Sequence, residues 1–253
     1  RGFVYQFFAA HPGLGWNKIT QELITNYNHK QFIKKGQSYS TQNQWINAIK
    51  LYLRVHKLNV GDLEDVERPR KEQRLPNVLS REEVASIIRH TGNLKHRTLL
   101  MLIYSAGLRI GEALRLKPDD IRSEEGLIYV RRSKGTKDRR VPLSPVMLQE
   151  LRTYYAAYAP RVWLFEGQKR GPYSARSAAQ VLKRSVARAG IRTRVTLHTL
   201  RHSYATHLTQ RGVNVQYLQE ILGHNSPKTT MLYTHLSGKD IKDVRSPLDE
   251  LDI

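Results

Sequence analysis

The 253-residue sequence contains no cysteine, has few acidic residues and carries no long hydrophobic segment. Without cysteine the chain can form no disulfide framework, no thiolate-ligated zinc site and no cysteine nucleophile, and a reducing environment fits this composition. No apolar run approaches the roughly 20 residues of a membrane-spanning helix. The N-terminal stretch also lacks the cleavage-site pattern of a signal peptide. We therefore expect a cytoplasmic protein that has no membrane partner.

The scarcity of acidic residues leaves a large excess of positive charge. The sequence has 42 Lys and Arg residues against 22 Asp and Glu residues, which gives a formal net charge of +20. Charge of this size concerns solubility and partners rather than fold, and nucleic acid is the leading candidate partner. A basic protein without a specific ligand is the alternative at this point.

Changes in the hydrophobic pattern divide the chain into two patterned regions joined by a basic segment. Residues 1–65 contain short amphipathic helix patterns, and we expect the first helix to be truncated because the chain opens within it and without Met. Residues 66–79 combine two prolines with several basic side chains, which predicts a linker, although a solvated loop is the alternative. Residues 80–253 begin with "SREE", in which Ser80 and Glu83 form a capping box.

The second region is predicted to be mainly helical with a small sheet. A change to period-two alternation in "GLIYVRRSKGTKDRRVPL" predicts two strands, at about 127–133 and 138–143, on either side of the turn "KGTKD". Helix patterns occupy 80–90, 95–106, 174–189, 197–211, 214–222 and 226–234. The segment "SPVMLQELRTYYAAYA" is also predicted to be helical, "RIGEALRL" begins a further short helix, and "VWLF" is predicted to be extended. The predicted fold class is mainly α with a small antiparallel β-sheet.

The segment "HTLRHSYATHL", residues 198–208, is dense in functional side chains. On a helix, His198 and Arg201 share one face because they are three residues apart. A metal site built on His198 and His202 is disfavoured, since no Glu follows the first His as in a zincin helix and no third ligand is evident. We expect structural roles for His202 and His207 and a packing role for Tyr204.

Three other segments contain residues that could take part in phosphate chemistry. Arg109 follows a predicted helix break, and Glu112 three residues later can orient its guanidinium. Lys134 lies at the tip of the predicted hairpin, from which a lysine can reach a neighbouring site. In "LGHNSPKTTMLYTH", a tight turn can bring His224 and Tyr233 into one pocket, although simple packing of the tyrosine ring is the alternative.

Taken in order, these segments resemble the conserved boxes of the tyrosine recombinases, also called the phage integrase family. "GLRIGEAL" resembles the first arginine box, "SKGTKDRRVPL" the lysine hairpin, "LHTLRHSYATHL" the His-x-x-Arg box, and "LGHNSPKTTMLYTH" the final box. The resemblance covers the whole chain and is closest to Xer-like and mobile-element integrases. It implies a two-domain DNA clamp with a helical, SAM-like core-binding domain at 1–65, a linker at 66–79, and a mixed α/β catalytic domain at 80–253.

The resemblance also implies which residues carry out catalysis. They are Arg109, Lys134, His198, Arg201, His224 and Tyr233. By this resemblance Tyr233 is the nucleophile that forms a 3′-phosphotyrosyl link, and Lys134 is the general acid. Arg109 and Arg201 grip the scissile phosphate, and His224 donates a further hydrogen bond to it. His198 acts as a base near the tyrosine or as a phosphate donor, and Glu112 holds Arg109 without touching substrate.

The implied reaction is site-specific DNA recombination through a Holliday junction, in integration, excision or resolution, without metal or cofactor. The implied partners are a double-stranded recombination site, a homo-tetramer in which residues 236–253 contact a neighbouring subunit, and accessory proteins. The protein is expected to be encoded by a bacterium or a phage and to associate with the nucleoid in the cytoplasm. The candidate DNA-contacting residues are Lys18, Asn43, Gln44, Lys50, Arg176 and Lys183. A type IB topoisomerase and a non-catalytic DNA-binding protein are the alternatives.

Overall fold

The structure, a computed structural model, describes residues 2–61, 63, 66, 77–131, 138–168, 171–224, 227–231 and 233. The chain divides into two compact units, Arg1–Arg74 and Leu75–Ile253. The division falls inside the segment 66–79 that the sequence predicts as a linker. Most of that segment, the predicted general acid Lys134 and the C-terminal segment 236–253 lie outside the described residues.

The first unit is helical and is organised around buried aromatic rings. Its helices are α1 (Phe3–Ala9), α2 (Gln21–Asn28), a π-helical turn (His29–Ile33) and α3 (Tyr39–Val55). Trp45 of α3 is fully buried, and its ring lies 5.3 Å from that of Tyr27 and 5.1 Å from that of Phe32, measured between centroids. Aromatic burial of this kind supplies much of the stability of a small core.

The second unit is also mainly helical and contains a three-stranded antiparallel sheet in the order β1-β2-β3. Its strands are β1 (Ile121–Arg122), β2 (Leu127–Val130) and β3 (Arg139–Pro142). Its described helices are α4 (Arg81–Arg89), α5 (Leu94–Ala106), α6 (Ile110–Ala113), α7 (Pro145–Tyr158), α8 (Ala175–Arg188), α9 (Leu197–Gln210), α10 (Val215–Leu222) and α11 (Pro227–Met231). The predicted fold class, mainly α with a small antiparallel β-sheet, is confirmed. In the described ranges, no helix is both long enough and apolar enough to cross a membrane.

Helices α5 and α9 pack against each other at the centre of the second unit. Most side chains of α9 are buried, including polar ones, which is the pattern of a helix surrounded by other elements rather than lying at a surface. The chain before α4 is attached to α9, because the backbone N–H of Leu79 donates to Ser203 Oγ at 2.9 Å. The predicted capping box then starts α4: Ser80 Oγ accepts from Glu83 N at 3.1 Å, and Glu83 Oε2 accepts from Ser80 N at 2.8 Å.

Gly107 ends α5 and turns the chain toward α6. Its backbone is left-handed, with φ of +59°, a conformation that glycine adopts without steric cost. A Cβ atom at this position would lie 2.5 Å from Cδ1 of Tyr204, so Tyr204 packs directly over the glycine. The turn therefore needs glycine for two reasons, and it brings the next residues, including Arg109, to the end of α10.

Candidate active site

The structure brings together four residues from three of the segments that the sequence singled out. Arg109 is the N-cap of α6, Arg201 lies on α9, and His224 follows the C-cap of α10. Nη2 of Arg201 lies 3.0 Å from Nε2 of His224. The ring of Tyr233 stacks on that of His224 with 6.3 Å between centroids. Because these residues come from different elements, their convergence is a tertiary property of the fold.

Arg201 is almost completely buried, at 1% exposure. Its Nη1 donates to Gly107 O at 2.6 Å and its Nη2 donates to Leu222 O at 2.7 Å. Burial, and then the neighbouring charge of Arg109, lower the pKa of Arg201 to about 10, so the side chain stays cationic at neutral pH. Within the part of the chain that the structure describes, Arg201 Nε has no hydrogen-bond partner. An unpaired buried donor of this kind costs about 1–3 kcal/mol, which an incoming acceptor can recover.

Glu112 joins two further arginines. Its Oε1 accepts from Arg109 Nη1 at 2.9 Å, and its two oxygens accept from Arg139 Nη1 and Nη2 at 2.9 and 2.8 Å. Burial alone would raise the pKa of Glu112, but the hydrogen bonds and charges of Arg139 and Arg109 outweigh it and bring the pKa to about 2. Glu112 is therefore a carboxylate that orients two cations, as the sequence suggested for Arg109 alone.

The C-terminal end of α10 fixes all three arginines through backbone carbonyl groups. Ile221 O accepts from Arg139 Nε at 2.7 Å, Leu222 O accepts from Arg201, and Gly223 O accepts from Arg109 Nη2 at 3.1 Å. The last carbonyl groups of a helix lack partners within the helix and carry partial negative charge. Guanidinium groups satisfy both needs, so the helix end and the arginines stabilise each other.

Arg139 is a residue that sequence reasoning missed. It opens β3, where the burial pattern alternates, so that Arg139 and Val141 point inward while Arg140 is exposed. The alternation along β3 could have revealed Arg139, because it places this arginine on the same buried face of the strand as Val141. A buried arginine needs a carboxylate partner. Arg139 meets this requirement through Glu112, and its side chain is only 5% exposed.

His224 is held between an arginine and a threonine. Since a guanidinium can only donate, Nε2 of His224 accepts from Arg201, and Nδ1 carries the proton that is donated to Thr230 Oγ1 at 2.9 Å. Burial, and then the charges of Arg201 and Arg109, lower the pKa of His224 to about 4. Thr230 O also accepts from Tyr233 N at 3.0 Å. Thr230, which the sequence did not single out, thus positions both the histidine and the tyrosine.

Tyr233 is buried, and its hydroxyl is hydrogen-bonded to an unexpected partner. Only 1% of the residue is exposed, and Tyr233 Oη lies 2.7 Å from His202 Nδ1. Burial raises the pKa of Tyr233, and the charges of Arg201 and Arg109 offset part of the increase. The structural role expected for His202 stays a prediction, and the structure adds that its ring contacts the tyrosine hydroxyl directly. His207, in contrast, is buried and bonded through Nδ1 to Tyr104 Oη at 2.9 Å.

His198 lies on the exposed side of the same group of rings. Its ring is 4.2 Å from that of His202 in an edge-to-face arrangement, and its side chain is exposed. Partial burial, and then the charges of Arg201 and Arg109, lower the pKa of His198. In the described ranges, no three His, Asp or Glu side chains are grouped as a metal ion would need.

The candidate DNA-contacting residues lie on partly or fully exposed surfaces of their own units. In the first unit, Gln44 is exposed on α3 opposite its buried residues, Asn43 and Lys50 are half-buried at the flank of that buried face, and Lys18 is exposed before α2. In the second unit, Arg176 and Lys183 are exposed on α8 and share a face because they are seven residues apart. Both helices thus combine an apolar buried face with a polar face.

Comparison with known proteins places the chain in a family. Residues 77–239 match the model of the phage integrase family. The tyrosine recombinase XerA of Pyrococcus furiosus is 34% identical over 83% of this chain and 74% of its own length, and XerA of Thermococcus kodakarensis is 37% identical over 83% and 75%. A crystal structure of the XerH site-specific recombinase bound to a palindromic difH substrate, in a post-cleavage complex, has the same fold. Its TM-score is 0.75 at 23% identity, over 93% of this chain and 74% of that chain. The chain therefore belongs to the phage integrase family and is a tyrosine site-specific recombinase.

Proposed function

We propose that Tyr233 is the nucleophile with which this recombinase cuts DNA, and that Arg109, Arg201, His198 and His224 activate the scissile phosphate. One observation carries the proposal: Arg201, His224 and Tyr233 lie in successive contact, with 3.0 Å between the first two side chains and stacked rings between the last two. A tyrosine beside a buried cation and an imidazole is suited to phosphoryl transfer, because all three groups can meet one phosphate.

The chemistry explains why cations dominate the site. A phosphodiester repels nucleophiles, and its transition state spreads negative charge over the non-bridging oxygens, so fixed cations aimed at those oxygens are the main catalytic requirement. Arginine suits this role because its planar fork binds two oxygens at once. The unpaired Nε of Arg201 supports such a contact, since a phosphate oxygen would satisfy it. The negative phosphate would also raise the pKa of His224 and allow its Nε2 to donate.

Cleavage and resealing follow from the same groups. Tyr233 Oη attacks phosphorus and forms a 3′-phosphotyrosyl bond, while the 5′ oxygen leaves and takes a proton from Lys134 as general acid. The covalent link keeps the energy of the broken phosphodiester, so the 5′-hydroxyl of a second strand can reseal it without ATP. Exchange of two pairs of strands in this way passes through a Holliday junction.

The burial of Tyr233 adds a requirement to this mechanism. A tyrosine with 1% exposure cannot contact a DNA phosphate until the site opens or the residue moves. We therefore expect DNA binding to expose Tyr233 beside Arg201. The cost of exposing one aromatic side chain, about 2 kcal/mol, is small compared with the affinity that phosphate contacts provide.

Binding to the recombination site uses the two basic units. The XerH structure that shares the fold was solved on its DNA substrate, which supports a double-stranded recombination site as the partner here. Lys18, Asn43, Gln44, Lys50, Arg176 and Lys183 supply phosphate and base contacts. A homo-tetramer assembles on two such sites, with residues 236–253 in contact between subunits and with accessory proteins selecting the outcome in the cytoplasmic nucleoid.

The experiment uses a DNA duplex that carries the recombination site and a nick near the exchange point, so that the cleaved fragment diffuses away and traps the covalent complex. The wild-type protein is expected to form an adduct in EDTA. Tyr233→Phe is expected to bind the DNA without forming an adduct, and Tyr104→Phe, which removes a half-buried hydroxyl that is also bonded to a histidine, serves as the control. An adduct in Tyr233→Phe, or a strict metal requirement, would overturn the proposal.

A further inference from the structure

We infer that His202 is a catalytic residue of this site and that its Nδ1 takes the proton of the Tyr233 hydroxyl as the tyrosine attacks phosphorus. This inference rests on the proposed function of Tyr233 as nucleophile. The family resemblance directed attention to His198 as the base near the tyrosine, whereas the hydrogen bond to Tyr233 Oη is made by His202.

The geometry of the pair is that of a base and its acid. Tyr233 Oη and His202 Nδ1 are 2.7 Å apart, within the range in which a general base can abstract a proton. Burial raises the pKa of Tyr233, and the pKa of His202 is lowered to about 4 by burial and then by His198 and Arg201. At neutral pH the phenol is therefore the donor and the imidazole is the acceptor. This assignment leaves the proton of the neutral ring on Nε2.

Helix α9 also holds His202 beside the Tyr233 hydroxyl, which is where a general base must lie. His202 follows Arg201 directly on α9, so the rigid helix that carries the buried guanidinium also carries the imidazole. Its other neighbour is the exposed ring of His198, 4.2 Å away between centroids. The rings of Tyr233, His202 and His198 thus run from the buried tyrosine to the exposed side of α9.

The charged groups around His202 make its basicity depend on DNA. The titratable and charged groups of this cluster come from every neighbouring element: His198 and Arg201 on α9, His224 after α10, Tyr233, and Arg109 at the start of α6, which acts on His224 and Tyr233. In the free protein, burial and then the neighbouring His198 and Arg201 suppress protonation of His202, so Tyr233 keeps its proton. A phosphate bound beside Arg201 and Arg109 supplies negative charge, which raises the proton affinity of His202. The nucleophile is then activated only when its substrate is present.

Atoms and charges balance in each half of the reaction. In cleavage the Oη–H bond of Tyr233 breaks, a proton bonds to His202 Nδ1, the Oη–P bond forms, and the P–O5′ bond breaks as Lys134 protonates the leaving oxygen. In resealing, a 5′-hydroxyl attacks phosphorus and gives its proton to Lys134. Tyr233 Oη then leaves and recovers its proton from His202, as microscopic reversibility requires.

The test compares two histidines of α9 that each hold a tyrosine hydroxyl through Nδ1. His202→Asn keeps a hydrogen-bond acceptor in reach of Tyr233 but cannot take a proton. His207→Asn makes the same change at the pair with Tyr104, where the distance is 2.9 Å, and serves as the matched control. Single-turnover cleavage of the nicked duplex is followed from pH 5 to 9, with DNA binding and thermal unfolding measured for each variant.

We expect His202→Asn to bind DNA normally and to cleave at least about 100-fold more slowly, because general base catalysis typically contributes this much or more. The loss of rate on the acidic side of the wild-type pH profile is expected to disappear in this variant. Added imidazole should restore part of the cleavage rate of His202→Ala. His207→Asn is expected to cleave at a rate within a few-fold of the wild type.

Three outcomes would overturn the inference. One is a cleavage rate of His202→Asn equal to that of His207→Asn. Another is an unchanged pH profile in His202→Asn, which would leave His202 as a holder of the tyrosine. A third is faster cleavage by His202→Ala, which would make the hydrogen bond a restraint on Tyr233. These outcomes bear on His202 only if the wild-type protein forms an adduct and Tyr233→Phe does not. An adduct in Tyr233→Phe would instead overturn the proposed nucleophile itself.

Discussion

Arg139 and Glu112 form a two-pronged ion pair, in which both Nη atoms of the arginine lie 2.9 and 2.8 Å from the two carboxylate oxygens. Both side chains are largely buried, at 5% and 10% exposure. The same carboxylate holds Arg109, and Arg201 Nη1 lies 3.9 Å from it. One negative charge therefore stabilises the close approach of three positive ones, and the arginines that we propose to bind the phosphate depend on this carboxylate for their positions.

The substitution Glu112→Gln tests whether this carboxylate holds the arginines of the site together. It removes the charge while keeping the shape, and breaking a buried ion pair by removing one partner typically costs about 3–5 kcal/mol. We expect a loss of unfolding free energy of about 3 kcal/mol in urea denaturation and a large loss of cleavage. Glu150→Gln is the control, because its partner Arg97 is 37% exposed. Equal losses in the two variants would contradict the role given to Glu112.

The lowered pKa values of His202 and His224 predict a loss of stability in mild acid. Both values are about 4 in the folded protein, against an ordinary value of about 6.5. Below pH 6.5 the unfolded chain takes up protons that the folded chain resists, so stability is greatest above pH 6.5 and falls toward pH 4. Denaturant titration measures the free energy of unfolding at each pH. Its decrease from pH 7 to pH 5 should be about 2 kcal/mol smaller in His224→Gln than in the wild type. An identical loss would argue against a neutral, half-buried His224 in the folded protein.

Gly107→Ala is expected to destabilise the protein more than a left-handed backbone alone can explain. Its φ is +59° and a Cβ would lie 2.5 Å from Tyr204 Cδ1, whereas Gly126, with φ of +65°, has no atom within 4 Å of an added Cβ. Gly126→Ala should therefore cost about 1–2 kcal/mol from the backbone, and Gly107→Ala a further 1–3 kcal/mol or so from overpacking. Thermal denaturation of both variants measures the difference, which would vanish if Tyr204 could move aside freely.

Lys183→Ala should weaken DNA binding in a salt-dependent way. Lys183 is exposed on α8 on the face that also carries Arg176. Loss of one phosphate contact lowers the slope of log affinity against log salt concentration by about 0.9. Arg152→Ala removes an exposed cation from α7 and should leave the slope nearly unchanged. Fluorescence anisotropy with a duplex that carries the site, at several salt concentrations, distinguishes the two results.

Local signals in the sequence were sufficient for most of the helices and for the main strands. The capping box at Ser80 and Glu83, the break at Gly107 and the alternation in β3 each depend on neighbours in sequence, so the pattern alone located them. The strand β1 was missed because two residues, Ile121 and Arg122, carry no periodicity. The prediction of a hairpin lysine at 134 falls outside the described residues and stays a prediction.

The candidate site was only partly predictable, because several of its contacts join distant parts of the chain. The motifs supplied Arg109, Arg201, His224 and Tyr233 as separate residues. The roles of His202, Arg139 and Thr230 come from hydrogen bonds across 31, 27 and 6 residues respectively. Spacing along one helix cannot reveal which of two adjacent imidazoles meets a tyrosine from another segment, so His202 was assigned a structural role.

Three consecutive carbonyl groups, those of Ile221, Leu222 and Gly223, hold the three arginines of the site. Backbone carbonyls persist through almost any substitution of their own side chains, but their direction depends on the register of the helix. Removal of one residue from α10 would turn its end by about 100° and shift it by about 1.5 Å. Such a deletion would misalign every guanidinium at once, so the length of α10 is a stricter constraint on this site than the identity of the side chains at its end.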